Sequence, residues 1–136
     1  KMTDIDYIMG LLDWNGPTSD QALGIDLAEK VQSINAFLQP CSERYNKNVW
    51  ENCALVLARR TDEELAPYLG ELMLWLRDMN WPGAFCILRR LCRFADRQYL
   101  ANVLERCMRC ASALDDTVWL ENLRVLERME SFAAKQ

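Results

Sequence analysis

The sequence predicts an all-α protein, a short α-solenoid (alpha-alpha superhelix) of about seven antiparallel helices. Three observations predict this class. Apolar residues make up 51% of the 136 residues, enough for one substantial core. They recur at helical spacing, and no alternating strand pattern occurs. A tryptophan motif occurs three times at intervals typical of helix-pair repeats. We therefore expect residues 1–136 to form one helical-repeat domain, with a compact helical bundle as the alternative.

The repeated motif is W-x5-[VI]-L-x-R, and it begins at Trp50, Trp81 and Trp119. The first two tryptophans are 31 residues apart and the last two are 38 apart. Such spacing is usual where each helix pair needs its neighbours to cover its apolar face. Because the three rings occupy equivalent positions in the motif, packing between helices is the favoured role for them.

In the amino-terminal third, residues 4–12 predict a short first helix. A second helix is expected to start at a cap formed by Ser19 and Asp20. Its buried face is predicted to contain Leu23, Leu27, Val31 and Ile34. Residues 39–48 are rich in Pro, Ser and Asn, which predicts a loop. Asn48 then stands where it would cap a helix that begins near Trp50.

In the central part, residues 61–64 read T-D-E-E, a capping-box pattern at a helix start. Pro67 then forces either a short turn followed by a new helix or a kink. The buried face beyond it is predicted to hold Leu69, Leu72, Met73 and Leu76. The run N-W-P at residues 80–82 predicts the next helix start, with Asn80 as the cap and Pro82 in the first turn. The buried stripe of that helix is predicted to be Phe85, Leu88, Leu91, Cys92 and Ala95.

Two further helices complete the chain. The first has an apolar face marked by Leu100, Val103, Leu104, Cys107, Ala111 and Leu114. The second begins near Trp119, with Asp116 or Thr117 as its cap.

Two segments resemble a known family: N-K-N-V-W-E-N-C-A at residues 46–54 and residues 61–84, which end in W-L-x-D-x-N-W-P-G-A. Both are similar to a bacterial family of small helical proteins of unknown function related to HEAT-type repeats. The resemblance covers residues 5–95 well and the remainder loosely. It implies a HEAT-like fold and carries no catalytic residues. Gly70 stands where similar sequences often have proline, so the start of that helix stays open.

The charge pattern bears on partners. The net charge of −4 disfavours nucleic acid, whose phosphates must be neutralised by Lys and Arg. Four arginines are nevertheless expected on one solvent face, together with Cys86: Arg89, Arg90, Arg93 and Arg97. They are either paired with acids on neighbouring helices or available to an acidic protein, whose carboxylates match arginine forks. Trp14, in the turn D-W-N-G-P, is a second candidate contact for a partner.

The sequence contains few residues that could serve catalysis or bind a metal. The sequence has no histidine, which removes the common triads and dyads. The acidic clusters at residues 62–64 and 115–116 stand at helix starts, where capping accounts for them. Cys107-x-x-Cys110 lies in a helical pattern without a second ligand pair, so we expect no metal site. We likewise expect no catalytic residue and no cofactor, and reduced cysteines in a cytoplasmic protein that has no membrane segment.

Three functional hypotheses follow. The first is a non-enzymatic scaffold that binds a protein of unknown identity, for which a bacterial immunity or antitoxin-like protein is one form. The second is a nucleic-acid-binding HEAT-like module that uses the face of Arg89, Arg90, Arg93 and Arg97. The third is an enzyme that uses Cys86 or carboxylates, which requires a pocket with a perturbed pKa. Composition and motifs favour the first and leave the oligomeric state open.

Overall fold

The computed structural model describes the backbone of residues 4–42 and 44–134, with side chains as far as residue 129. Over these ranges the chain is helical and contains no strand. The α-helices are α1 Ile5–Leu11, α2 Thr18–Ala28, α3 Gln39–Ser42, α4 Trp50–Ala58, α5 Asp62–Leu65, α6 Leu69–Met73, α7 Ala84–Cys92, α8 Arg97–Ala113 and α9 Thr117–Ala134. Four 3₁₀ turns lie at Asn35–Phe37, Lys47–Val49, Ala66–Tyr68 and Leu74–Arg77. The described α-helices outnumber the seven expected because α3 forms inside the predicted loop and a 3₁₀ turn separates α5 from α6.

The amino-terminal helices follow the prediction only in part. α1 forms as expected, and the Asp4 carboxylate caps it by accepting from the backbone N–H groups of Asp6 and Tyr7 at 2.9 and 3.3 Å. α2 begins directly after Pro17, so Ser19 lies inside its first turn and does not cap it. Its buried residues are the small Gly24 and Ala28, whereas Leu23 is exposed. The predicted loop at 39–48 is wrong where α3 and the Lys47–Val49 turn form.

The capping box before α5 is confirmed. The Thr61 hydroxyl accepts from Glu64 N at 3.2 Å, and the Glu64 carboxylate accepts from Thr61 N at 3.1 Å. Pro67 lies in the 3₁₀ turn that follows, and α6 starts two residues later as a separate helix. The predicted face of this region is fully buried: Leu69, Leu72, Met73 and Leu76.

The predicted start of α7 at Asn80 is wrong. The segment before α7 is a turn in which Asn80 N donates to the Asp78 carboxylate at 2.8 Å and Trp81 N donates to Asp78 O at 3.0 Å. The helix begins only after Gly83, which has a φ of 88°. Gly83 N donates to the Glu51 carboxylate at 2.9 Å, which fixes the turn to α4. The positive φ of Gly83 lies outside the helical region, so α7 cannot extend back through this residue.

The carboxyl-terminal helices carry aspartate caps. The Asp96 carboxylate accepts from Tyr99 N at 3.0 Å at the start of α8. The Asp116 carboxylate accepts from Trp119 N at 3.0 Å at the start of α9, which confirms the predicted cap. The apolar face of α8 is buried at Leu100, Val103, Leu104 and Ala111, as predicted. Leu114 is exposed instead, because it lies past the end of the helix.

Helices α2, α4 and α7 lie side by side and run in the same direction. Near the starts of α2 and α4, Asn52 Nδ2 donates to Leu12 O at 2.8 Å and to Gln21 Oε1 at 2.9 Å. Near their ends, Arg60 Nη2 donates to Ala28 O at 3.0 Å. α7 meets α4 through Gly83 N and Glu51 at the starts, and through Arg90 Nη2 and Arg60 O, 2.9 Å apart, at the ends.

The three helices repeat with a period of 30 residues. Residues 24–30, 54–60 and 84–90 read G-I-D-L-A-E-K, A-L-V-L-A-R-R and A-F-C-I-L-R-R. The small residues Gly24, Ala54 and Ala84, which begin these stretches, are all buried. The tryptophan motif aligns Trp50 with Trp81, which are 31 residues apart, whereas the structural period is 30 residues. The motif is therefore one residue out of register with the helices, and Trp81 lies in the turn before α7.

The tryptophans pack between helices, as predicted. Trp50 meets Trp75 and Trp81 edge to face, with ring centroids 6.0 and 5.3 Å apart. Trp75 Nε1 donates to Pro82 O at 2.8 Å, and Trp119 Nε1 donates to Met73 O at 3.0 Å. Trp50, Trp75 and Trp119 are buried in one continuous core cluster, against which the half-buried Trp81 packs. Within the described residues no helix is long and apolar enough to cross a membrane.

Candidate functional site

The solvent face of α7 carries an aromatic ring beside two arginines. Phe85, Arg89 and Arg93 follow one another at intervals of four residues, so they lie on one face of the helix. All three are exposed, and the Phe85 side chain is 58% accessible. The predicted burial of Phe85 is wrong, and so is the predicted exposure of Cys86, which is buried. We call Phe85, Arg89 and Arg93, together with Leu55 of α4, the α7 face.

Arg90 does not belong to this face, which corrects the prediction of four arginines on one solvent surface. It is only 7% exposed. Its Nη2 donates to Arg60 O at 2.9 Å and to the Asp62 carboxylate. Since a buried guanidinium needs both counter-charge and acceptors, these contacts account for Arg90 as a structural residue.

Arg60 holds the equivalent place one repeat earlier. It is also buried, and it donates to the carbonyls of Ala28 and Val31, at 3.0 and 2.5 Å, and to the Glu64 carboxylate at 2.7 Å. In both repeats a buried arginine therefore donates to carbonyls at or just past the end of the preceding helix, where no donor within that helix is available. The period of 30 residues is the signal that identifies this pair.

The remaining predicted contacts lie apart from the α7 face. Arg97 is the first residue of α8, and its Nη1 donates to Cys92 O at 2.9 Å. Trp14 is 47% exposed, and its backbone N donates to Asn48 O at 3.0 Å, beside the start of α4. Arg89 and Arg93 stand instead at the end of α7, which lies beside the end of α4.

Arg89 and Arg93 of the α7 face differ from the neighbouring arginine in their ion pairs within the described residues. Arg59 of the neighbouring helix pairs with Glu29 at 2.6 Å. Among the residues that the structure describes, neither Arg89 nor Arg93 has a carboxylate within ion-pair distance, although Arg93 is close enough to Asp62 to help lower its pKa. Two exposed cations thus share a helix face with the exposed Phe85, and Leu55 of the neighbouring α4 is 39% exposed.

Burial raises the pKa of several cysteine thiols. Burial raises the pKa of Cys86, an effect that the Arg89 and Arg93 charges oppose only in part. Burial and the neighbouring Cys110 raise the pKa of Cys107 to about 11. A raised pKa keeps a thiol protonated near neutral pH, and the thiolate is the reactive form. All six cysteines are free thiols. Within the described chain no three metal-ligating side chains gather.

Three described grooves are lined by residues other than those of the α7 face. The largest, about 770 Å³, is bordered by α1, residues 30–36 and Tyr45. Two others, of about 300 and 310 Å³, lie beside Tyr99. The groove of about 300 Å³ nevertheless adjoins Arg93, because Asp62, Phe94 and Ala95 line it. Concave sites of this kind are the ones that small molecules usually occupy.

Comparison with known proteins gives one family. Neither the curated proteins nor the solved structures provide a match. A family model described as a domain of unknown function, DUF5071, matches residues 45–132. Both segments that carry the sequence resemblance, 46–54 and 61–84, lie inside the match, but residues 5–44 lie outside it and the supposedly loose part, 96–132, lies inside. The matched residues include α4 to α8 and most of α9, and the chain therefore belongs to the DUF5071 family.

Proposed function

We propose that the protein is a non-enzymatic scaffold that binds an acidic protein through the α7 face. The observation that carries the proposal is the 58% exposed Phe85 beside Arg89 and Arg93, which lack an ion-pair partner among the described residues. Aromatic and arginine side chains are enriched at the centres of protein interfaces. Unpaired arginines supply charge complementarity to carboxylates, and this complementarity sets specificity and association rate.

We further propose that the helices stack as a short HEAT-like solenoid. The parallel arrangement of α2, α4 and α7, the period of 30 residues and the repeated buried arginine support this architecture. In such a stack each unit contacts mainly its neighbours, and equivalent residues form continuous rows on the surface. The α7 face is part of such a row.

Several observations favour a scaffold over an enzyme. The sequence contains no histidine, and burial raises the pKa of Cys53, Cys86 and Cys107. Asp62 and Glu64, in the acidic cluster, are engaged by Arg90 and Arg60. The alternative nucleic-acid module loses one of its four proposed contacts, because Arg90 is buried.

The test compares variants of the α7 face in partner capture from the native organism. We expect the unmodified protein to retain a stoichiometric acidic protein that Arg89→Glu with Arg93→Glu loses while remaining folded. Exposed charges contribute little to stability, so circular dichroism and thermal midpoint should stay close to those of the unmodified protein. Raising the salt concentration from about 0.1 to 0.5 M should weaken capture, since exposed charges are screened.

A matched control is Arg106→Glu with Arg109→Glu on α8, which makes the same change in net charge away from the α7 face. The control should retain the partner. Equal loss of the partner in both double variants would show that net charge alone determines binding, and the proposal would then fail. A gel shift of duplex DNA at physiological salt that disappears in the Arg89→Glu, Arg93→Glu variant would put the nucleic-acid module first.

A further inference from the structure

We infer that the segment of the partner bound here is an acidic amphipathic α-helix that lies across α2, α4 and α7, at a right angle to their axes. This inference rests on the proposed function and specifies the conformation and charge of the bound element. Its evidence is a row of surface residues that recur every 30 residues, and the distance between the helices that carry them.

The row begins with three apolar residues at equivalent positions. Ile25, Leu55 and Phe85 stand 30 residues apart, one residue after the buried small residues of α2, α4 and α7. Ile25 is half-buried, whereas Leu55 and Phe85 are exposed. One turn further along the helices the same period gives Glu29, Arg59 and Arg89. The Glu29–Arg59 contact of 2.6 Å shows that this pair of equivalent residues, on α2 and α4, is adjacent.

The distance between apolar positions discriminates between a bound helix and a bound strand. Packed helices lie about 8 to 10 Å apart, which sets the distance from Leu55 to Phe85. In an α-helix, residues i and i+7 share a face and are about 10.5 Å apart. In a strand, residues on one face recur at about 6.7 and 13 Å, and neither distance matches. A helix with apolar residues at i, i+7 and i+14 therefore fits the row.

The charges fix the second property of the bound helix. Arg89 lies one helical turn, about 6 Å, from Phe85 along α7. A helix centred on the apolar row has a diameter of about 10 Å, so its flank passes over this position. Arg59 is neutralised by Glu29, which leaves Arg89 and Arg93 as the cations beside that flank. Carboxylates along one flank of the partner helix, at its α7 end, complement them.

The test selects binders from a displayed library of random peptides of about 20 residues, which span about 30 Å as helices. We expect recovered peptides to share apolar residues at i and i+7, with Asp or Glu on one flank, and to gain helical circular dichroism on binding. Phe85→Ala should weaken them about 10- to 100-fold by fluorescence anisotropy, as for a central aromatic contact. The control Leu114→Ala, at a residue 63% exposed beyond α8, should leave affinity unchanged.

Three outcomes would overturn the inference: recovery of no binder, recovery of extended or basic peptides, or a peptide affinity that Phe85→Ala leaves unchanged. The Leu55→Ala variant is a second check, since a bound strand that contacts α7 alone would keep its affinity for this variant. Failure here leaves the proposed function standing if partner capture still depends on Arg89 and Arg93. If capture of the partner does not depend on Arg89 and Arg93, the proposed function itself is wrong.

Discussion

The Asp62 carboxylate connects two turns of the chain. It accepts from Arg90 and from the backbone N–H of Ala95, the latter at 2.8 Å. Partial burial would raise the pKa of Asp62, but the Ala95 and Arg90 hydrogen bonds and the arginine charges lower it below its ordinary value of 3.8. The folded protein therefore holds this proton less tightly than the unfolded chain, and the resulting stabilisation is present above the ordinary pKa and is lost as pH falls through the folded value.

Asp62→Asn should lower the free energy of unfolding by about 2 kcal/mol at pH 7, because Arg90 keeps a buried charge without its anion. The difference from the unmodified protein should shrink as the pH falls below 3.8 and through the lowered pKa of Asp62, because Asp62 itself then becomes protonated. Urea unfolding at pH 7 and at a pH below 3.8 measures this change. Glu63→Gln, a neighbouring exposed carboxylate, is the control and should change little at either pH. A difference that stays constant with pH would contradict the charge-based account.

Trp81 is the most accessible ring of the tryptophan cluster. It meets Trp50 edge to face, and Lys47 Nζ lies 5.6 and 5.8 Å from the Trp50 and Trp81 ring centroids. We expect Trp81→Ala to cost about 2 to 3 kcal/mol, below the 3 to 5 kcal/mol typical of fully buried aromatic residues. Trp119→Ala, which also removes a donor to Met73 O, should cost more. An unchanged thermal midpoint for Trp81→Ala would make Trp81 a surface contact.

The turn before α7 explains the residues W-P-G-A as scaffold. Pro82 supplies the carbonyl that accepts from Trp75 Nε1, and Gly83 places α7 against α4. A Cβ at Gly83 would lie 2.7 Å from Ala54 Cβ and 2.9 Å from Trp50 O. Its φ of 88° is also unfavourable for a residue with a side chain. This position therefore accepts glycine alone without displacement of α7.

Gly83→Ala should destabilise the fold by about 3 kcal/mol, from the combined backbone strain and crowding against α4. Thermal or urea unfolding monitored by circular dichroism measures the loss. Gly70→Ala is the control, since a Cβ there meets nothing within 4 Å and Gly70 lies inside α6. The control should be neutral or slightly stabilising. Equal losses of stability in the Gly83→Ala and Gly70→Ala variants would contradict the role given to the turn.

The sequence predicted the helical class, the capping box at Thr61 and the Asp116 cap, because each depends on residues close together in the chain. It misplaced Phe85 and Arg90 for a different reason. Helical periodicity shows which side chains share a face, but the packing of α7 against its neighbours decides which face is buried. The Asp62 carboxylate that makes burial of Arg90 tolerable lies 28 residues away in sequence, and no local pattern shows that pairing.

At the scale of the whole molecule, apolar packing and hydrogen bonds between repeats hold the described chain together, and all six cysteines are free thiols. We expect neither a reductant nor a metal chelator to change the thermal midpoint. Differential scanning calorimetry in the presence of dithiothreitol or EDTA measures this. Cooperative unfolding on adding either reagent would instead make Cys107 and Cys110 bridge partners or ligands.

Arg60 and Arg90, which donate to carbonyls at the end of the preceding helix, also set the order in which hydrogen bonds form during synthesis. Ala28 O and Val31 O receive hydrogen bonds from Arg60, and Arg60 O receives one from Arg90. On a ribosome, the ends of α2 and α4 therefore lack their arginine donors until about 30 further residues have been added. At 5 to 20 residues per second this delay is roughly 2 to 6 s for each of the two helices. From the completion of α2 to the addition of Arg90, the nascent chain thus exposes one such helix end at a time.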